Sequence, residues 1–323
     1  MPIFAFFMSE TVDTDENAPD VAGDALSDLL RQLNFAAQVF FRDGYCGGWA
    51  VDTSGSAQVP FHLVCQGHGW LHSPGEVPRK LLAGQLVFFP QDAPHVLASQ
   101  DSPPAPSSIN QPPPERLEGD VTRLVCGYFS FDRRTAEPLL SSLPPTMVLD
   151  LSQAEDATTR ELVNLWMREA AGNGLGSHLA VDRLAELVFI QMLRIEISGG
   201  RLQGVIGALG DPQLGKVLAN IHQHPGADHT MQQMCAAAGL SESAFTVRFK
   251  KSVGMTPGQY VRHWRMQSAA RALRDSTRSM YDIAQSVGYE SEVAFRKAFS
   301  SHFGTAPGSY RRQQMQTQSA AGG

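Results

Sequence analysis

The last third of the chain holds the same unit twice, and a duplicated unit has to fold as two copies of one local structure. The first copy runs from Gly239-Leu-Ser-Glu-Ser-Ala-Phe245 through Phe249 to Gly254, Pro257 and Tyr260. The second runs from Gly288-Tyr-Glu-Ser-Glu-Val-Ala-Phe295 through Phe299 to Gly304, Pro307 and Tyr310. From the first phenylalanine onward the offset is a constant 50 residues, whereas the turn glycines are offset by 49. One extra residue therefore separates turn from helix in the second copy. Each copy reads as helix, glycine turn, helix, the pattern that lays its second helix in the major groove of DNA. Two such units present two reading helices to one face of a duplex, so the expected partner is double-stranded DNA.

A net charge of −6 counts against a nucleic-acid binder until it is divided by position. From Gly226 onward there are 12 Lys/Arg against 6 Asp/Glu, and residues 1–225 hold the other 14 basic and 26 acidic side chains. An acidic body with a basic C-terminal module suits a protein that touches phosphates at one end only. Hydrophobic content of 42% is globular, and no run approaches the roughly 18 apolar residues of a membrane span. Pro2 to Met8 is apolar but lacks a basic start and a cleavage site, so it is not read as a signal peptide. An overextended start, with Met8 or a later residue beginning the chain, is the alternative there. Cys46, Cys65, Cys126 and Cys235 show no CxxC spacing, which fits a reducing cytoplasm better than disulfides or a zinc finger.

The texture along the chain predicts an α+β multidomain protein. Residues 1–24 are expected to be a disordered acidic tail, and Asp24 to Leu33 repeats leucine at helical spacing. Short strand-like runs follow at Gln38 to Arg42, Phe61 to Cys65, Gly69 to His72, Leu86 to Phe89 and Arg123 to Phe131, the pattern of a β-barrel or sandwich. The proline-rich stretch Asp101 to Gly119 is expected to be a mobile surface loop. Helices are predicted over Glu155 to Ala171 and His178 to Ser198. In the second, Val181, Leu184, Val188, Gln191 and Ile195 recur at coiled-coil spacing, so it is either a core helix or a homodimer seam. Asp211-Pro212 opens the C-terminal module with an N-cap and a proline at the first helical position. Thr230 to Gln233 and Ser279 to Asp282 have capping-box spacing. Gly258 to Asp275 is read as a helix connecting the two copies.

Within the first reading helix Phe245, Phe249 and Val253 share one face and pack inward. Ser243, Val247 and Lys250 lie opposite, with Thr246 on the flank. The 50-residue offset carries these to Val293, Lys297, Ser300 and Arg296. These eight are the expected base-facing residues, with Arg296 and Lys297 suited to guanine and the valines to thymine methyls. Arg248, Lys251, Arg262, Arg265, Arg311 and Arg312 are expected to hold phosphates.

At these residues the chain resembles the AraC/XylS family of bacterial transcription regulators. The resemblance covers roughly residues 212–313 and rests on three runs: Ala238-Gly-Leu-Ser241 with Phe245 and Phe249; Ile283-Ala284 with Val287-Gly288-Tyr289; and Phe303-Gly304 with Pro307-Gly308 and Tyr310. Where family members often have a Trp before the Thr of the first helix, this chain has His229. The resemblance implies residues 209–316 as an all-α double helix-turn-helix domain, with RNA polymerase as a further partner and no catalytic role. Residues 317–323 are expected to be a tail.

Gly84-Gln-Leu-Val-Phe-Phe-Pro90 followed by Pro94-His95 resembles the second half of a cupin motif, and Phe61-His62-Leu-Val-Cys-Gln-Gly67 a worn first half. Residues 25–135 are therefore expected to form a cupin-like sensing barrel, and 136–208 a helical linker with a dimerisation role. Val64 stands where the second histidine of a metal-binding motif belongs, so no cofactor is expected unless His62, His72 and His95 converge on a metal. For an organic effector, Phe61, His62, Trp70, His72, Phe88 and His95 are the candidate pocket residues. For an oxidant, Cys65 and Cys126 are the candidate thiols. The leading reading is a dimeric regulator whose barrel senses a small molecule or oxidant. The alternative is a metal-dependent, oxygenase-like cupin enzyme joined to a DNA-targeting module.

Overall fold

The computed structural model describes residues 24–321 apart from 133–135, 138–139, 142 and 153–155. The expected tail over residues 1–24 thus lies outside the described residues except for Asp24. That residue caps helix α1 (Ala25–Gln32), its carboxylate accepting from Ser27 N at 3.0 Å. Two antiparallel sheets follow. One has five strands in the order β1 (Ala36–Cys46), β8 (Val121–Ser130), β3 (Val59–Gln66), β6 (Gln85–Phe88) and β9 (Met147–Asp150). The other has four, in the order β2 (Ala50–Val51), β7 (Val96–Ala98), β4 (His68–His72) and β5 (Arg79–Leu82). All five predicted strand runs are present. The strands that sequence did not mark are two to four residues long, too short for a period-2 pattern to emerge.

Strand alternation divides the five-stranded sheet into two working faces. Leu124, Cys126, Val64 and Val87 face the opposing sheet with Tyr45, Trp49, Leu71, Phe89 and Leu97. Phe61, Leu63, Phe88, Val125 and Phe129 face two helices, α2 (Ala157–Ala171) and α3 (Ser177–Ser198). Phe61 and Phe129 stack at 4.4 Å there, and Phe189 of α3 lies 4.6 Å from Phe129. Gly127 makes this possible, because a Cβ on it would come within 2.5 Å of the Phe61 ring. The loop over residues 101–119 is pinned midway, contrary to the expectation of a free segment: the Asn110 side chain bonds both Asp52 N and Asp52 O at 2.9 Å.

Helix α3 corrects the dimer-seam reading. Val181 and Val188 are fully buried inside this one chain, and Gln191 donates to Asp156 at 3.0 Å. Its polar residues also serve the sheet: Asp182 and Glu186 accept from Val39 N (2.7 Å) and Ala37 N (3.2 Å) of β1. Those are unpaired edge-strand donors, which a sheet must cover. β9 pairs into the sheet, and α2 and α3 pack against it, so most of the segment expected as linker is built into the β-rich unit.

The C-terminal module follows α4 (Gly204–Leu209): α5 (Leu214–Gln223), α6 (Met231–Ala238), α7 (Glu242–Val253), α8 (Pro257–Asp275), α9 (Met280–Ser286), α10 (Glu292–Phe303) and α11 (Pro307–Ala321). Asp211 caps α5 by accepting from Gln213 N and Leu214 N, although the helix proper starts at Leu214. Thr230 and Gln233 form the expected reciprocal box. Ser279 accepts from Asp282 N, but Asp282 turns to the Ser279 hydroxyl at 2.7 Å. Helix α11 continues to Ala321, so most of the expected C-terminal tail is helical.

Candidate nucleic-acid interface and barrel interior

Both reading helices, α7 and α10, are seated by the same parts. Ser241 and Ser291 cap them by accepting from Ala244 N and Ala294 N. Phe245, Phe249, Phe295 and Phe299 are completely buried. The second phenylalanine of each copy meets the tyrosine of its own copy edge-on, Phe249 to Tyr260 at 5.8 Å and Phe299 to Tyr310 at 5.5 Å. The turn glycines Gly239 and Gly288 have φ of 63° and 78°, the left-handed region that favours glycine. Two residues separate Gly239 from α7 and three separate Gly288 from α10, which is the extra residue read from the 49/50 offset.

The faces opposite the phenylalanines are open. Ser243, Val247 and Lys250 are exposed and Thr246 is half-buried; in the second copy Val293, Arg296 and Lys297 are exposed and Ser300 is half-buried. Val247 and Val293 are 69% and 78% exposed. Two valines left in water on otherwise polar helix faces are the unusual feature, since each forgoes burial worth roughly 1.5–3 kcal/mol. A thymine methyl is the matching surface.

The expected phosphate contacts divide in two. Lys251, Arg262 and Arg312 are exposed. Arg248, Arg265 and Arg311 bind the protein itself. Arg248 bonds Asp211 Oδ2 and Gln213 Oε1, both at 2.6 Å. Arg265 donates to the Pro225 and Ala227 carbonyls, and Arg311 to the Arg278 carbonyl at 2.7 Å. These three brace turns and helix starts, so the phosphate role expected of them meets a competing partner within the chain. Charge alone does not reveal which guanidinium already has a carbonyl in reach.

A cleft of about 160 Å³ is lined by Val217, Met234 and Ala237 together with the polar Asn220, Asp228, His229 and Gln233. His229 Nε2 donates to the His224 carbonyl at 2.8 Å.

The six residues expected to line one effector pocket lie in three places. Phe61 and Phe88 pack under α2 and α3. His62 and His95 lie inside the sandwich, with Thr53 Oγ1 at 3.1 and 2.9 Å from their Nε2 atoms and 3.3 Å between those two nitrogens. Trp70 and His72 point out of the four-stranded sheet: Lys80 Nζ sits 5.7 Å from the Trp70 ring centroid, and His72 meets the Gln100 carbonyl. Phe61 and His62 are neighbours on one strand and therefore face opposite ways, whereas Trp70 and His72, two apart, share the outer face of the other sheet. The space around His62 and His95 is filled by Phe89, which stacks on His95 at 3.5 Å.

The same geometry speaks to a metal. His72 does not join His62 and His95, and among the described residues no three His, Cys, Asp or Glu side chains converge as a ligand set. His95 Nδ1 donates to the Ala93 carbonyl at 2.8 Å, so its Nε2 accepts, and the hydroxyl of Thr53 occupies the third corner. Burial holds His62 neutral, its pKa pressed down to about 3. The donors present do not fit a cupin metal centre.

The two candidate thiols lie on opposite faces of the sheet, Cys65 toward the helices and Cys126 toward the interior. Burial pushes Cys65 up to about 12 and Cys126 higher still, so both stay protonated. A reactive thiol needs the reverse.

One open cleft of about 420 Å³ lies at the end of the five-stranded sheet. Its lining mixes apolar Val59, Pro90, Phe129, Phe131 and Leu140 with polar Gln58, Gln91, Ser130 and Ser141 and the carboxylates Asp92 and Glu137. Sequence reasoning missed it, because its lining comes from four separate segments with no shared motif.

Comparison with known proteins agrees with both halves. A family model described as "Cupin" matches residues 24–198, and one described as "Helix-turn-helix domain" matches residues 234–313. An "Uncharacterized HTH-type transcriptional regulator" of Haemophilus influenzae is 29% identical over 299 residues, covering 90% of this chain and 98% of that protein. The "HTH-type transcriptional regulator MtrA" of Neisseria gonorrhoeae is 30% identical over 311 residues, covering 90% and 97%. The "RCS-specific HTH-type transcriptional activator RclR" of Escherichia coli K12 is 27% identical over 258 residues, covering 79% and 84%.

Proposed function

Because the chain belongs to the AraC-type helix-turn-helix transcription regulators that carry an N-terminal cupin domain, we propose that it reads DNA with the exposed faces of α7 and α10 under control of a small organic effector. The family is one of transcription regulators, which removes the oxygenase-like alternative. Ser243, Thr246, Val247, Lys250, Val293, Arg296, Lys297 and Ser300 face base edges, and Lys251, Arg262 and Arg312 hold phosphates. RNA polymerase is the partner through which the bound chain acts. The observation that carries this reading is the identical seating of two helices by buried phenylalanine pairs, each leaving a valine and a cation in water.

The effector binds in the cleft lined by Phe129, Phe131 and Leu140. Its mixed lining suits a partly apolar molecule of modest size, and the raised pKa of the buried Cys65 and Cys126 favours this effector over an oxidant sensed at those thiols. The homodimer forms on the outer side of α3, where Leu179 and Leu187 are exposed and Leu175 precedes the helix.

Salt-dependent binding of the full chain to duplex DNA tests the reading face. Arg296→Ala and Lys297→Ala are expected to lose sequence preference at individual base pairs. Arg312→Ala is expected to weaken all duplexes alike and lower the salt slope by about 1. Equal losses on preferred and random DNA for both Arg296→Ala and Lys297→Ala would remove them as readers.

A further inference from the structure

Helix α10 carries Glu292 in its first turn, four residues before Arg296. Arg296 Nε donates to Glu292 Oε1 at 2.7 Å, and Nη2 lies 2.5 Å from the same oxygen. One carboxylate oxygen therefore occupies the Nε side of the guanidinium. Nη1 has no partner among the described residues, and with the second N–H of Nη2 it forms the edge that fits guanine O6 and N7.

Stability does not explain the pair. Its side chains are 50% and 34% exposed, and an exposed ion pair at this spacing contributes little to folding. Both reading helices carry a glutamate in the first turn, where the macrodipole favours an acid, so the charge by itself marks no role; the cation within reach of Glu292 is what sets it apart. The first reading helix supplies an internal comparison. The 50-residue offset places Glu242 at the position of Glu292 and Thr246 at that of Arg296, and Glu242 has no cation to hold. An unheld arginine samples many rotamers and must lose that freedom on contacting a base, whereas a held one has lost it already.

We propose that Glu292 is a positioning residue for base recognition. It holds Arg296 with its free edge directed at the major groove, so that the second helix-turn-helix selects a guanine at one base pair. This rests on the reading face assigned above, and the experiment separates the two.

The full chain is used to select its preferred duplex from a randomised DNA pool. Affinities are then measured by fluorescence anisotropy for that duplex, for each single base-pair change in it, and for a random duplex. In the unaltered protein one G·C pair is expected to discriminate by roughly ten-fold or more. Arg296→Ala is expected to remove that discrimination. Glu292→Asp keeps the charge but is one methylene too short to reach; it is expected to cut discrimination at the same base pair to about three-fold or less while leaving random-duplex affinity unchanged. Glu292→Gln should lose the same discrimination and bind random DNA more tightly. Glu242→Gln should bind all duplexes more tightly with every discrimination ratio intact.

Full discrimination in Glu292→Asp and Glu292→Gln, at a base pair where Arg296→Ala has lost it, overturns the positioning role and leaves the reader in place. Full discrimination in Arg296→Ala overturns the reading assignment itself. An equal drop in preferred and random binding for Glu292→Asp, with unchanged circular dichroism, also overturns the proposal, because positioning moves the ratio.

Discussion

His222 sits where the sensor meets the first helix-turn-helix. Its Nδ1 donates to the Ala25 carbonyl at 3.3 Å, its Nε2 accepts from Tyr260 Oη at 2.6 Å, and its ring lies flat on Trp264 at 3.6 Å. Burial lowers its pKa to about 3, as it does for His62. The unfolded imidazole takes a proton near pH 6.5 and the folded one only near pH 3, so between these limits the unfolded chain binds more protons. Stability contributed by these neutral rings is complete above about pH 6.5 and falls by about 1.4 kcal/mol per pH unit for each histidine as pH drops. Urea unfolding is expected to show this slope between pH 6.5 and 4.5. His222→Gln should lose about one histidine's share of it, and a flat profile for the unaltered protein would contradict neutral burial. Arg248 gives a second outcome at this scale. Its bonds to Asp211 and Gln213 make Arg248→Ala a stability variant, with a loss of about 1 kcal/mol. The salt slope of DNA binding should stay as it was, in contrast to Arg312→Ala.

Helix α3 shows how an element acquires a role that its spacing leaves open. Valines at coiled-coil positions serve an internal core as well as a partner helix, and here Val181 and Val188 are buried in the chain's own core. Val188→Glu is therefore expected to unfold the sensor, since a buried unpaired carboxylate costs several kcal/mol; loss of the folded near-ultraviolet dichroism would report it. Leu179→Glu should fold normally and, with the dimer seated on the outer face of α3, sediment as a monomer. The gap by His229 is legible from both directions: a family resemblance marks the missing indole, and the structure has about 160 Å³ of space there. His229→Trp is expected to raise the unfolding free energy by about 1 kcal/mol if the ring enters the cleft. A lower melting temperature would mean that the loss of the bond to the His224 carbonyl outweighs the filling.

At the scale of the molecule the division between domains is not where the repeat places it. The first helix-turn-helix shares one continuous apolar core with α1, α3 and the barrel, through Leu29, Leu218, Phe245 and Trp264. The second has its own core, built from Met266, Leu273, Ile283, Phe295, Phe299 and Tyr310. A fragment beginning at Leu209 removes the α1 cover from α5 and α8 while leaving the second core complete. Hydrogen exchange is expected to show α5 to α7 losing protection in that fragment relative to the full chain, with α9 to α11 unchanged. Equal protection of both halves would show that the first unit folds without the sensor.

Sequence by itself determined what depends on local periodicity and on repetition. The twin helix-turn-helix, its inward phenylalanines, its caps and the one-residue difference between copies all follow from i, i+4 spacing and a constant offset, which survive any packing. Five strands were legible from their runs of apolar and β-branched residues between turn signals. Tertiary structure alone decided which groups meet. Helices α2 and α3 covered the sheet face that carries Phe61 and left His62 to the sandwich interior. Carbonyls and a carboxylate within reach bound Arg248, Arg265 and Arg311. The chain's own core took the α3 valines. In each case the deciding partner is tens to over a hundred residues away in the chain, and no one-dimensional pattern specifies it.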